Sequence, residues 1–298
     1  MSEKVYRSNV SNRVSLLMLV VLALLVMLDV FTQYFLKDIT NLEKILIYIV
    51  IFLIPIFVYI KLNKYKTRTT LRLHHFKMRY LPFILLAGIT LSVVCALLNV
   101  ICSALFSRFG LPTLVTSTVN FSSDSPFVIF VSAVFMPALC EELLIRGVAL
   151  TEYEKYGIPV SVFMTSLIFA LFHGSPVTFV SLFVAGAAYA VMTYLFKSVW
   201  PSFICHAINN LIAVFISYNS DFLGYLLTDI LFVIMIIALV VLVLYFTLKL
   251  AENVVDELGN KNRLKTNTKK LVYGEPLASP YIWLFLAISI YLTVRRFL

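Results

Sequence analysis

Long apolar runs alternate with short polar stretches along the 298-residue chain. Eight such runs, at about residues 14–36, 45–62, 81–106, 127–151, 158–175, 176–196, 199–218 and 222–248, approach or exceed the roughly 20 apolar residues that a spanning helix needs. Only helices and closed barrels satisfy their backbone groups in lipid. The pattern therefore predicts an all-α, polytopic transmembrane bundle of about eight spanning helices. The first run follows Lys4, Arg7 and Arg13 but is too long for a signal peptide and lacks a small-residue cleavage site, so a retained anchor is expected. A last run, Tyr281 to Val294, is too short for a secure span and predicts an interfacial helix. The extended polar segment from Glu252 to Pro280 reads as a solvated loop.

Composition agrees with this pattern. With 61% apolar and 13% charged residues, the chain departs from the roughly 25% charged residues of soluble domains. The net charge of +9 could suggest nucleic acid, but 18 of the 24 Lys and Arg residues fall in four stretches: the N-terminus to Arg13, Lys61 to Arg79, Lys249 to Lys270, and Arg295 with Arg296. Basic clusters flanking apolar runs are the signal of cytoplasmic loops. The expected environment is therefore the lipid bilayer of a cell membrane, with the N-terminus cytoplasmic and no nucleic-acid partner. Cys95, Cys102, Cys140 and Cys205 lie in apolar stretches without CxxC spacing and read as packing residues.

Charges in a bilayer cost several kcal/mol (about 3 or more), so the intramembrane ionisable residues are the place to look for chemistry. They are Asp29, Glu141, Glu142, Arg146, His173, His206 and Asp229. Asp29 and Asp229 each stand alone on an apolar helix and read as structural. Arg146 follows Glu142 by four residues, on one helical face, and the two are expected to pair. Glu141, rotated by about 100°, is left as a carboxylate facing elsewhere, where a general base would stand. Pro137 cannot donate to the carbonyl of Ala133, so a kink is expected just ahead of the pair. Phe169 shares a face with His173, and His206 shares one with Asn210.

A lone histidine on an apolar helix is usually a core residue; the depths here argue otherwise. From inner boundaries near Glu152, Pro159 and Ser198, the rise per residue puts Glu141 about 16 Å, His173 about 21 Å, His206 about 12 Å and Asn210 about 18 Å into a core about 30 Å thick. Three helices thus bring polar groups to one central layer.

In these residues the chain resembles the CPBP (CAAX protease and bacteriocin-processing, or Abi) family of intramembrane proteases, which includes the type II CAAX prenyl endopeptidases. The family pattern EExxxR, FxxxH and HxxxN is matched by Glu141-Glu142 with Arg146, Phe169 with His173, and His206 with Asn210. Phe183 to Gly186 and Trp200 to Ser202 resemble its connecting sequences, while Phe196-Lys197-Ser198 departs from a common Thr-Gly-Ser turn. The resemblance implies a catalytic core over residues 125–215, between N-terminal helices with a basic loop (1–124) and a C-terminal helix, loop and tail (216–298). It implies that Glu141 and His173 activate a water, that His206 and Asn210 stabilise an oxyanion, and that Glu142, Arg146 and Phe169 support them. A variant chemistry has Glu141, His173 and His206 hold a zinc ion. There is no HExxH pair, and the metal-free version is preferred.

The motif stretch looks more like bacterial than eukaryotic relatives, so the expected substrate is a membrane-associated peptide or protein rather than a prenyl protein. Two other classes compete with this reading. A non-proteolytic immunity or signalling scaffold would keep the fold, and an ion- or proton-coupled transporter would also use intramembrane acids and histidines, but no internal symmetry of the kind transporters show is evident.

Overall fold

A computed structural model of the chain describes residues 3–35, 40–111, 125–219, 230–261 and 275–295. Asp229, expected to be structural, and Arg296 lie outside the described residues, as do residues 262–274 of the polar segment expected as a loop from Glu252, whose first part is instead helical through Lys261. The described secondary structure is helical, in agreement with the all-α expectation. We number the principal helices α1 (Glu3–Phe35), α2 (Asn41–Leu62), α3 (Leu81–Arg108), α4 (Pro126–Tyr156), α5 (Ile158–Phe172), α6 (Pro176–Phe196), α7 (Trp200–Tyr218), α8 (Ile230–Lys261) and α9 (Pro280–Arg295).

Among the described residues, six helices are long and apolar enough to cross a membrane: Val10–Thr32 within α1, α2, Met78–Arg108 through α3, α4, α6 and α7. The apolar run at 158–175 gives a helix of only 15 residues, because α5 stops at Phe172. Gly174 takes a positive φ of 55° there, and Pro176 opens α6 at its first position. The run at 222–248 begins outside the described residues; its described part belongs to α8, a 32-residue helix. The short C-terminal helix α9 packs against α1 and α5 and buries Ile282, Phe285 and Ser289.

Three helices pack around α6: α3, α5 and α7, and α3 also packs against α7. Lipid supplies no hydrophobic drive between helices, so close approach and interhelical hydrogen bonds hold them together. A Cβ on Gly88 of α3 would stand 3.1 Å from the Cα of Cys205 on α7, and one on Gly186 of α6 would stand 2.9 Å from the Cα of Ser166 on α5. Hydroxyls bridge α6 to two of its neighbours. Ser161 and Tyr194 share a hydrogen bond of 2.6 Å between α5 and α6, and Ser181 donates to Asn99 at 2.5 Å between α6 and α3.

The helix that carries the acidic pair, α4, is irregular. It contains π-helical turns at Phe130–Phe135 and Leu143–Ala149, on either side of the α-helical stretch Met136–Glu142. The break expected from Pro137 thus takes the form of a widened turn, in which the ladder steps around the missing N–H. A second proline, Pro55, follows the π turn Ile49–Leu53 of α2 in the same way.

One end of α4 is fixed by the basic loop between α2 and α3. The buried Glu152 accepts hydrogen bonds from Tyr59 at 3.0 Å and Lys155 at 2.5 Å. Arg72 pairs with Glu154 at 2.5 Å and also reaches Thr151. The backbone N–H of Val199, at the start of α7, donates to the carbonyl of Arg72, and Ser198 donates to that of His74. These contacts tie the end of α4 and the start of α7 to one loop.

Candidate active site

The three motif helices bring their polar side chains together. Glu142 and Arg146 form the expected pair, with Nη1 donating to Oε1 at 2.9 Å and both side chains fully buried. Arg146 also donates from Nη2 to the carbonyl of Gly186 at 3.1 Å. Its guanidinium lies 4.5 Å from the centre of the Phe169 ring and 5.2 Å from that of Tyr189. A buried cation is costly unless paired and hydrogen-bonded, and here a carboxylate, a carbonyl and two ring faces meet that need.

The same Glu142 oxygen accepts a hydrogen bond from His206 Nδ1 at 3.1 Å. His173 Nδ1 donates to the carbonyl of Phe169 at 2.8 Å, one turn back along α5. A ring that donates from Nδ1 carries, when neutral, its free lone pair on Nε2. Both Nε2 atoms point to one place. His173 Nε2 lies 3.8 Å and His206 Nε2 3.9 Å from Oε2 of Glu141. That oxygen is buried and has no hydrogen-bond partner among the described residues. Glu141 therefore faces away from the Glu142–Arg146 pair and towards two imidazoles.

Phe169 sets the ring positions, standing edge-on to His173 at 4.9 Å and to His206 at 5.4 Å. Tyr189 stacks on His206 at 5.2 Å with an interplanar angle of 16°. Asn210, one turn beyond His206 on α7, is half-buried and makes no hydrogen bond to the described residues. The structure thus brings the Nε2 atoms of His173 and His206 within 4 Å of Glu141 Oε2 and joins Glu142, Arg146 and His206 in a chain.

Exposure grades across the site. The side chain of His206 is 4% exposed and that of Glu141 15%, whereas His173, at the end of α5, is 32% exposed. His173 is the open edge of the cluster.

Tyr189 and the carbonyl of Gly186 were not singled out by spacing as site components. They are three residues apart and so share a face of α6, and a buried tyrosine one turn from a glycine is the signal that points to them. Tyr48 of α2 also lies within electrostatic range of Glu141. It comes from outside the motif stretch.

The zinc alternative can be tested on donor geometry. Ligands about 2.0–2.1 Å from a tetrahedral zinc are roughly 3.3 Å apart, whereas the nitrogens here are 3.8 and 3.9 Å from the carboxylate oxygen. Among the described residues no group of three or more His, Cys, Asp or Glu side chains is arranged to hold a metal ion.

Comparison with known proteins adds the class. Residues 123–212 match the family model described as type II CAAX prenyl endopeptidase, Rce1-like. That segment runs from just before α4 almost to the end of α7 and holds every motif residue. The match supports the CAAX-protease family resemblance and, coarsely, a membrane-embedded protease. No curated protein and no solved structure matches the chain.

Proposed function

We propose that this protein is an intramembrane endopeptidase in which Glu141 activates a water for attack on a peptide carbonyl. The observation that carries the reading is the unpartnered Oε2 of Glu141 with two imidazole Nε2 atoms within 4 Å of it. A water about 2.8 Å from each of these atoms fits the spacing, donating to the Glu141 carboxylate and to His173 Nε2, accepting from a protonated His206 Nε2, and keeping one lone pair for the carbonyl carbon. A carboxylate takes the proton as hydroxide adds to the carbonyl carbon, and His173, at the open edge, relays that proton to the leaving nitrogen. The amide of Asn210 donates to the oxyanion. His206 joins it as an Nε2–H donor that carries its proton before attack, its other nitrogen being held by Glu142.

The family model concerns prenyl endopeptidases, while the motif stretch resembles bacterial relatives. We infer a membrane-associated peptide or protein as substrate, without a requirement for a prenyl group. The protein works in a cell membrane with its N-terminus cytoplasmic, and needs no metal.

The test is cleavage of a panel of membrane-associated peptides, with and without a prenyl group, by purified protein. Glu141→Gln should keep the fold, judged by its thermal transition, while lowering turnover by about 10²- to 10⁴-fold. Turnover should survive exhaustive chelation. Wild-type turnover by a folded Glu141→Gln protein would overturn the assignment, and a chelator-sensitive enzyme restored by zinc would overturn the metal-free chemistry.

A further inference from the structure

Behind the catalytic helix α5 lies a cavity of about 620 Å³, walled by α3, α5, the start of α6 and α9. Cys102, Phe109, Ala170, Leu171, Leu286 and Val294 are among its lining residues, and Ser175 and Thr293 supply the only hydroxyls on its wall. At about 100° per residue, Leu167, Ala170 and Leu171 occupy one side of α5, while Phe169, which backs the imidazoles, lies well round the helix from them. The cavity is therefore separate from the Glu141 cluster. Its size falls in the range of about 300–1,000 Å³ typical of small-molecule sites, but its wall has almost nothing to orient a polar ligand.

Two cations adjoin its lining in sequence. Arg108 is the last residue of α3 and precedes the lining residue Phe109; Arg295 is the last residue of α9 and follows the lining residue Val294. Both are exposed. A hydrocarbon slot with two cations next to its lining residues has the complement of an anionic phospholipid: an acyl chain for the slot, a phosphate for the arginines. We propose that this cavity is a binding site for an anionic phospholipid, with one acyl chain inserted behind α5 and the headgroup phosphate held by Arg108 and Arg295. Because Ala170 and Leu171 belong to the turn that leads into His173, the bound chain fills the space behind that turn. The site does not depend on the proteolytic reading.

Cys102 is a built-in probe. It lies on the cavity wall and is half-buried, whereas Cys95, Cys140 and Cys205 are buried. Full-length protein in non-ionic detergent is titrated with phosphatidylglycerol, phosphatidylcholine or inorganic phosphate, and the labelling rate of Cys102 by a small neutral maleimide is followed. Phosphatidylglycerol should slow labelling at least about fivefold at a concentration where the other two do nothing. The double variant Arg108→Gln/Arg295→Gln should need about tenfold more phosphatidylglycerol for the same protection. Native mass spectrometry should show one retained phosphatidylglycerol per chain, lost in Ile290→Trp, which fills the slot from α9. Equal protection by phosphatidylcholine, or an unchanged titration of the arginine variant, would overturn the headgroup site. Labelling indifferent to every lipid would overturn the cavity as the place of binding.

Discussion

Glu142 serves two partners through one oxygen, accepting from Arg146 on its own helix and from His206 on α7. Removing either member of a fully buried ion pair strands the other, at a cost of about 3–5 kcal/mol. Glu142→Ala and Arg146→Ala should therefore each lower the thermal transition sharply, and the double variant should be less damaged than the sum of the two singles. Strict additivity in that cycle would contradict the pairing. Asn210→Ala makes the opposite prediction: with no hydrogen bond to lose, it should leave the melting transition within about 0.5 kcal/mol of wild type. Its effect should fall on kcat, by about 10²- to 10³-fold with little change in KM, as expected for an oxyanion donor. The Glu142–Arg146 contact was legible in the sequence because helical spacing alone decides it. The His206–Glu142 contact was not, since it depends on how α4 and α7 are rotated against each other across 64 residues of chain.

Among the elements, the helices that carry the histidines are set by small residues. A Cβ at Gly186 would press on the backbone of Ser166, which has no flexible end to yield, and the carbonyl of Gly186 receives Arg146. Gly186→Ala should destabilise by about 1–3 kcal/mol and also lower turnover, because separating α5 from α6 moves His173 away from Glu141. Lys197 offers a contrast. It ends α6 with φ 52° and ψ 33°, a left-handed conformation that costs an L-residue about 1 kcal/mol or more. Lys197→Gly should accordingly raise stability by up to about 1 kcal/mol, read as a higher Tm. The departure of Phe196-Lys197-Ser198 from a glycine-containing turn was visible in the sequence. The backbone strain that goes with it needs the coordinates. Helix ends were legible to a similar degree: the apolar run continued past Phe172, but the Gly174 turn and Pro176 stop α5 short.

At the scale of the whole molecule, six described helices satisfy the requirement for crossing and one basic loop gathers their ends. That loop, Lys61 to Arg79, docks on Thr151, Glu154, Val199 and Ser198, so the end of α4 and the start of α7 share its side of the membrane. In the orientation we propose, which follows the positive-inside rule, that side is cytoplasmic. A cysteine at Lys66, in a chain whose native cysteines are replaced, should react with an impermeant reagent in inverted vesicles and not in intact cells. Labelling from outside would invert the proposed orientation. The bundle and its core segment were legible because lipid leaves a chain few architectures. The packing of α9 against α1 was not, since a 14-residue apolar run carries no sign of what it will touch.

The π turn at Phe130–Phe135 gives α4 one residue more than regular winding would place there. Length in this helix is therefore not neutral. Deleting a single residue from that turn could be absorbed by tightening it to an ordinary coil, whereas deletion between Met136 and Glu142 would swing Glu141 by about 100° out of reach of both imidazoles. Gaps between relatives of this chain are thus expected to collect in the widened turn and to be absent from the seven residues that follow it.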